Sequence, residues 1–327
     1  MSRYLLPLLF LLTILLPLFI VVGYGEDHGV CLDRDLLRRF LEDQYVEEVG
    51  LLRAATTVYP DNVTCYIAND NVLASRALTV LGSPLGLRIV KKLDSEFGGG
   101  WNNKIDILLG RDIPDTFYAS YIVFIGEVDG YRIAYEKINY SQPIYDWYRY
   151  ADLLVYYALK KLLHGCVDEA EQAFINLTRM WDGYGFRDRV YNETGMYSVY
   201  KCALFIYLFR SLDAAGSEIV HSYRDIYDRC LEIICKAQNP TRGGIHTEYM
   251  VSNGEIVIVG DMNTETTSIV VLALYSNYPK TIATKTKQST PLLGMEIYIA
   301  ILLTIISLSI ILYKLIHKLP TSIQKFP

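Results

Sequence analysis

The chain has 327 residues, 51% of them hydrophobic and 20% charged, with 31 Lys and Arg against 36 Asp and Glu for a net charge of −5. The acidic balance argues against a nucleic-acid partner, which needs clustered cations to replace counterions. Setting aside Arg3, Glu296, Lys314, Lys318 and Lys325 leaves the middle of the chain more acidic still.

Residues 5–22 are almost wholly apolar, and Gly23-Tyr24-Gly25 supplies the small residues of a signal-peptidase site. The pattern predicts a signal peptide over 1–25, with an uncleaved N-terminal anchor as the alternative. Near the other end, 292–315 is long and apolar enough to cross a bilayer. Lys314, His317, Lys318 and Lys325 at its end and beyond place the tail 316–327 in the cytoplasm by the positive-inside rule. The expected arrangement is a single-pass cell-membrane protein with an extracellular domain over 26–279 and a polar stalk at 280–291. Sequons at Asn62, Asn139, Asn176 and Asn192 agree with a glycosylated exported domain.

Within that domain, LDRDLLRRFLEDQYVEEVGLL predicts an amphipathic helix over 33–56, capped by Asp33. Two helices follow at 70–81 and 84–94, broken at Gly82-Ser83-Pro84, and FGGGWNN at 97–103 reads as a loop. Residues 105–109 and 118–138 read as strands, with a hairpin at Asp129-Gly130. Helices are expected at 144–164, 167–180, 195–214 and 217–238. A hairpin at 243–259, turning at Asn253-Gly254, leads to a last helix at 263–276.

The six cysteines all lie in the exported portion, where an oxidising compartment favours disulfides. Cys230 and Cys235 share one predicted helix at a spacing that forbids a mutual bridge. The pairings expected are Cys31 with Cys65, and Cys166 or Cys202 with one of the later two. No C-x-x-C, H-E-x-x-H or G-x-S-x-G occurs, and FGGGW lacks a following Lys-Ser/Thr. Redox, zincin, serine-hydrolase and P-loop chemistries therefore find no support, and no metal or cofactor is expected.

Three loop-to-helix junctions share a pattern. YIANDNVLASRALTVL, WDGYGFRDRVYNETGMYSVYKCALFIYL and QNPTRGGIHTEYMVSNGEIVIVGDMNTETTSIVVLALY each place polar or acidic residues, often with aromatics, before an apolar helix. This resembles the α/α-toroid proteins, the six-hairpin glycosidases and polysaccharide lyases, over about 145–278 and more faintly over 62–95. The β-rich insert 103–139 departs from that pattern. The resemblance implies a mainly α, toroid-like helical-hairpin domain with small β-hairpin insertions, whose inner helices present their N-termini at one mouth. It also implies a carbohydrate ligand and carboxylate acid–base chemistry.

The candidate catalytic residues are Asp70, Asp182, Asp188, Glu248 and Glu265, with Asp261 as a further acid. Trp181, Tyr184, Phe186, Tyr197 and Asn263 are the candidate substrate contacts. Several have a plainer explanation: Asp70 or Asn69 beside it, and Asn263 or Thr264, as helix caps, Glu265 as a complement to the helix dipole, Asp182 as an Asx turn. The functional expectation is a glycan-binding or glycan-cleaving surface protein, set against a non-catalytic surface or envelope scaffold.

Overall fold

The computed structural model describes residues 31–55, 65–96, 104–128, 131–276 and 278. Both apolar terminal segments, the stalk, the 97–103 loop, the tip at Asp129-Gly130 and the sequon at Asn62 lie outside the described residues. Among the described residues no helix is long and apolar enough to cross a membrane. These residues form a mainly α-helical structure with three small sheets.

Helix α1 (Arg34–Asp43) begins where the Asp33 carboxylate accepts the Leu36 N–H at 2.9 Å. It stops well short of residue 56. Tyr45–Val46 (β1) instead pairs antiparallel with Leu51–Leu52 (β2), and Gly50 takes a left-handed φ of 75° between them. A tertiary contact overrides the helical pattern here: buried Asn71 accepts the Leu52 N–H at 2.7 Å and donates to the Leu52 carbonyl at 3.0 Å. Strand β3 (Cys65–Ile67) runs straight into α2 (Ala68–Val80), followed by α3 (Leu85–Glu96).

The strand expected at 105–109 is a 3-10 helix, Lys104–Leu109, closed by Gly110 N–H on the Ile107 carbonyl at 3.0 Å. Strands β4 (Tyr118–Val128) and β5 (Tyr131–Pro143) form an antiparallel hairpin, and β3 lies parallel to β5. Helices α4 (Ala151–Leu163) and α5 (Val167–Thr178) follow. Next come the short α6 (Arg189–Thr194), β6 (Tyr197–Ser198), α7 (Val199–Ala214), a 3-10 turn and α8 (Arg224–Ala237). Strands β7 (His246–Ser252) and β8 (Glu255–Met262) extend β6 into a second sheet. They turn at Asn253-Gly254 as expected, and α9 (Thr264–Tyr275) closes the series.

Burial sorts the helices into two layers. Helices α2, α4, α7 and α9 are buried on nearly every side, whereas α1, α3, α5 and α8 bury one stripe each, as surface helices do. The inner helices pack in the order α2–α9–α7–α4, with the Lys104–Leu109 helix touching both α2 and α4. The first three hairpins are built alike. Helices α2, α4 and α7 each end in a paired-carbonyl turn at a left-handed glycine (Gly82, Gly165, Gly216), and the chain reverses into the outer helices α3, α5 and α8.

The disulfide differs from expectation: Cys31 bridges to Cys235, with Cα atoms 5.8 Å apart. The reason is the docking of α1. Gly243 and Gly244 bring the loop after α8 so close to α1 that a Cβ on Gly243 would stand 2.2 Å from the Leu36 carbonyl oxygen. Gln238 holds the same junction, accepting the Asp33 N–H and donating to the Asp33 carbonyl, each at 2.9 Å. The glycine pair is thus a packing device between the two ends of the domain. Cys166, Cys202 and Cys230 are free thiols, the last two fully buried.

Candidate active site

The polar first turns of the inner helices meet at one cavity of about 380 Å³. Its wall takes Asp70 from α2, Asp152 and Tyr156 from α4, Tyr200 from α7, and Asn263 and Glu265 from the start of α9. Glu136 and Ile122 come from the β5–β4 hairpin, and Lys104 from the 3-10 helix. Helix N-termini carry unpaired N–H groups and the positive end of the helix dipole, which suits a site for polar ligands.

The NTETT turn divides its work. Asn263 caps α9, accepting the Thr266 N–H at 2.7 Å. The backbone N–H of Thr264 reaches the Ala54 carbonyl at 2.9 Å and its hydroxyl the Arg53 carbonyl. Thr267 donates its hydroxyl to the Asn263 carbonyl at 2.8 Å and accepts the Ile245 N–H at 3.1 Å. These hydroxyls and the Asn263 amide are therefore occupied in holding the turn. The Glu265 carboxyl is left for the cavity.

The AND turn of α2 divides similarly. Asn71 secures β2, and Asn69 accepts the Glu136 N–H at 2.7 Å, fixing β5 beside α2. Asp70, between them, is 8% exposed and lines the cavity with no hydrogen bond or ion pair to any described residue. Glu136 accepts the Ser120 hydroxyl and lies 3.7 Å from the Lys104 ammonium.

These carboxyls crowd one another out of water. Burial, then the charges of Glu265 and Glu136, push Asp70 well above the usual carboxylate range. Burial, then Glu136, pushes Glu265 from 4.5 to about 7, with Lys104 working in the opposite direction. Burial also raises Asp152, partly offset by Lys104 and Lys201. Tyr156 is 2% exposed, and burial followed by Asp152, Glu265 and Glu136 drives its phenol strongly upward. Proton-holding carboxyls in an open cleft are the equipment of acid–base chemistry.

The other sequence candidates stand elsewhere. Asp188 is buried beneath the cavity, where it accepts the Ala151 N–H at 3.1 Å and the Tyr191 N–H at 3.1 Å and pairs with buried Lys201 at 2.7 Å. It caps α6 and anchors the start of α4, one residue before Asp152. Asp182 makes the turn its sequence suggested, accepting the Tyr184 and Gly185 N–H groups at 2.9 and 3.0 Å and the Tyr197 hydroxyl at 2.6 Å. Burial raises its proton affinity, but these bonds and Arg187 outweigh that and hold it below the usual range. Glu248 sits within the second sheet, opposite Ser198 and Val259.

Phe186 and Tyr197 are core residues, 3% and 4% exposed, and so present no open face for a sugar ring. Trp181 packs edge-on against Phe186 at 5.1 Å, and the Tyr184 carbonyl accepts the Tyr249 hydroxyl at 2.9 Å. None of the four lines the cavity. Of the sequons, Asn192 is exposed and Asn139 and Asn176 are half-buried.

Asp70, Asn263 and Glu265 thus come together from among the sequence candidates. Glu136, Asp152, Lys104, Tyr156 and Tyr200 join them without having been singled out. Asp152 and Tyr156 lie one helical turn apart within the helix expected at 144–164, but only the observed start at Ala151 brings Asp152 to its mouth. Glu136, inside a strand, had no legible signal. No family model, no curated protein and no solved structure matches the chain.

Proposed function

We propose that this chain is a membrane-anchored extracellular protein with an α/α-toroid-like domain, whose cavity binds a glycan and hydrolyses its glycosidic bond. The observation that carries the reading is the convergence of Asp70 and Glu265, from helices nearly 200 residues apart in the chain, in one open cavity. Four inner helices opening on a common mouth, and the three alike hairpins behind them, support the toroid-like reading.

The chemistry follows from the unequal surroundings of the carboxyls. Glu265, held to about 7, keeps a proton near neutral pH and serves as general acid to the leaving oxygen. Glu136, with Lys104 and the Ser120 hydroxyl beside it, is the carboxylate that acts as base on a water. Asp70 and the tyrosines grip the sugar hydroxyls. The β4–β5 hairpin completes the wall that carries Glu136, so the insert departing from the toroid pattern is part of the working site.

The test is reducing-end release by the purified extracellular domain across a panel of oligosaccharides, for the parent and Glu265→Gln. The reading expects turnover of at least one glycan and a loss of about 10²–10⁴-fold in the variant with binding retained. A parent that binds no glycan, or a variant with parental turnover, would leave the scaffold reading in its place.

A further inference from the structure

We propose that the cavity recognises a protonated amine, so that the glycan it takes is an amino sugar with its nitrogen free. This rests on the glycan reading of the same cavity and names the substrate class.

The argument starts from the balance of charge. Four carboxyl groups, Asp70, Glu136, Asp152 and Glu265, face the cavity, with Lys104 as the cation in its lining. Lys104 stands beside Glu136, and the nearby Lys201 is committed to Asp188 at 2.7 Å. Asp70 is left nine-tenths buried with no hydrogen-bond or salt-bridge partner among the described residues. Buried beside other acids, such a carboxyl keeps its proton until a guest supplies a countercharge.

A second observation is independent of the acids. Tyr156 is 98% buried, lines the cavity and makes no hydrogen bond to any described residue, and Tyr200 stands in the same wall. Both the Tyr156 phenol and the Asp70 carboxyl line the cavity without a partner among the described residues, and one kind of guest serves both. An ammonium donates three hydrogen bonds, neutralises carboxylates and is attracted to the faces of tyrosine rings. Among the described residues no group of three or more His, Cys, Asp or Glu is arranged to hold a metal ion, which leaves an organic cation as the guest that fits. A uronate would bring another negative charge to a wall already rich in them, so the lyase branch of the toroid resemblance is disfavoured.

Calorimetric titration of the extracellular domain distinguishes the sources of such a cation. The probes are a glucosamine oligosaccharide, its fully N-acetylated counterpart, a uronate oligosaccharide of equal length, and spermidine as an amine without a sugar. The expected result is binding of the glucosamine oligomer about tenfold or more tighter than the acetylated one, weakening with salt, and no uronate binding. Asp70→Asn and Tyr156→Phe should each erode that preference, weakening the glucosamine oligomer more than the acetylated one.

Equal or tighter binding of the acetylated oligomer overturns the amine inference and leaves the glycan reading standing. Spermidine binding as tightly as the glucosamine oligomer upholds the ammonium site and overturns the glycan reading. Silence with all four probes overturns both.

Discussion

Replacing Glu265 by Gln separates a helix cap from a working acid through the sign of its effect on stability. A first-turn glutamate that merely complements the α9 dipole stabilises the fold, and its loss costs about 0.3–1 kcal/mol. The surroundings of Glu265 argue the opposite. Its carboxyl is carried from 4.5 to about 7 by burial and by Glu136, so the native state binds a proton that the unfolded chain has released. Stability from this group is complete below about pH 4.5 and is lost as pH rises through about 7.

Near pH 8 the ionised native state carries a penalty on the order of 1–3 kcal/mol. The amide introduced by the substitution does not ionise. Glu265→Gln should therefore raise the melting temperature by about 3–6 °C near pH 8 and change it little near pH 4.5. Differential scanning calorimetry of the purified protein at the two pH values provides the comparison. A variant that melts earlier than the parent at pH 8, or by the same margin at both, would refute the electrostatic argument and return Glu265 to the role of a cap.

Other consequences are directly measurable. Asp188→Asn leaves Lys201 buried without its charge partner and should cost about 3–5 kcal/mol in urea unfolding; a loss below about 1 kcal/mol would contradict the anchoring role. Asn263→Ala removes the cap on the Thr266 N–H and should cost about 1 kcal/mol by the same measurement. Non-reducing peptide mapping should recover Cys31 joined to Cys235, and Cys31→Ser should lower stability by up to about 5 kcal/mol because the bridge closes a 204-residue separation. A Cys31–Cys65 peptide would show that α1 docks elsewhere.

The parts of the fold legible in the sequence are those written in local periodicity and turn chemistry. Helices α2, α3, α5 and α9 fall where apolar spacing places them, α4 and α7 start later than the expected 144 and 195, and the Asn253-Gly254 turn falls where its left-handed residues require. What could not be read depends on distant partners. The stretch after Asp43 has helical periodicity but is captured as strand by Asn71, and Cys31 finds Cys235 because a glycine pair lets α1 approach.

The site divides along the same line. Asp70 and Glu265 were recognisable as acids in the first turns of apolar helices, where amides and hydroxyls already sufficed for capping. Asp182 and Asp188 are acids in the loop before an apolar helix, and both are engaged by backbone N–H groups, a distinction made by loop geometry rather than by residue type. Phe186 and Tyr197 offer aromatic rings in the sequence, but both are buried in the core.

The most direct test of the account is the pH profile of kcat/KM for reducing-end release from a glucosamine oligosaccharide, measured for the parent and for Glu265→Gln. The account predicts activity that falls on an alkaline limb near pH 7 as Glu265 gives up its proton, and a variant that has lost most of the rate at every pH. A parental profile that is flat through neutrality, or a variant that keeps both limb and rate, would contradict it.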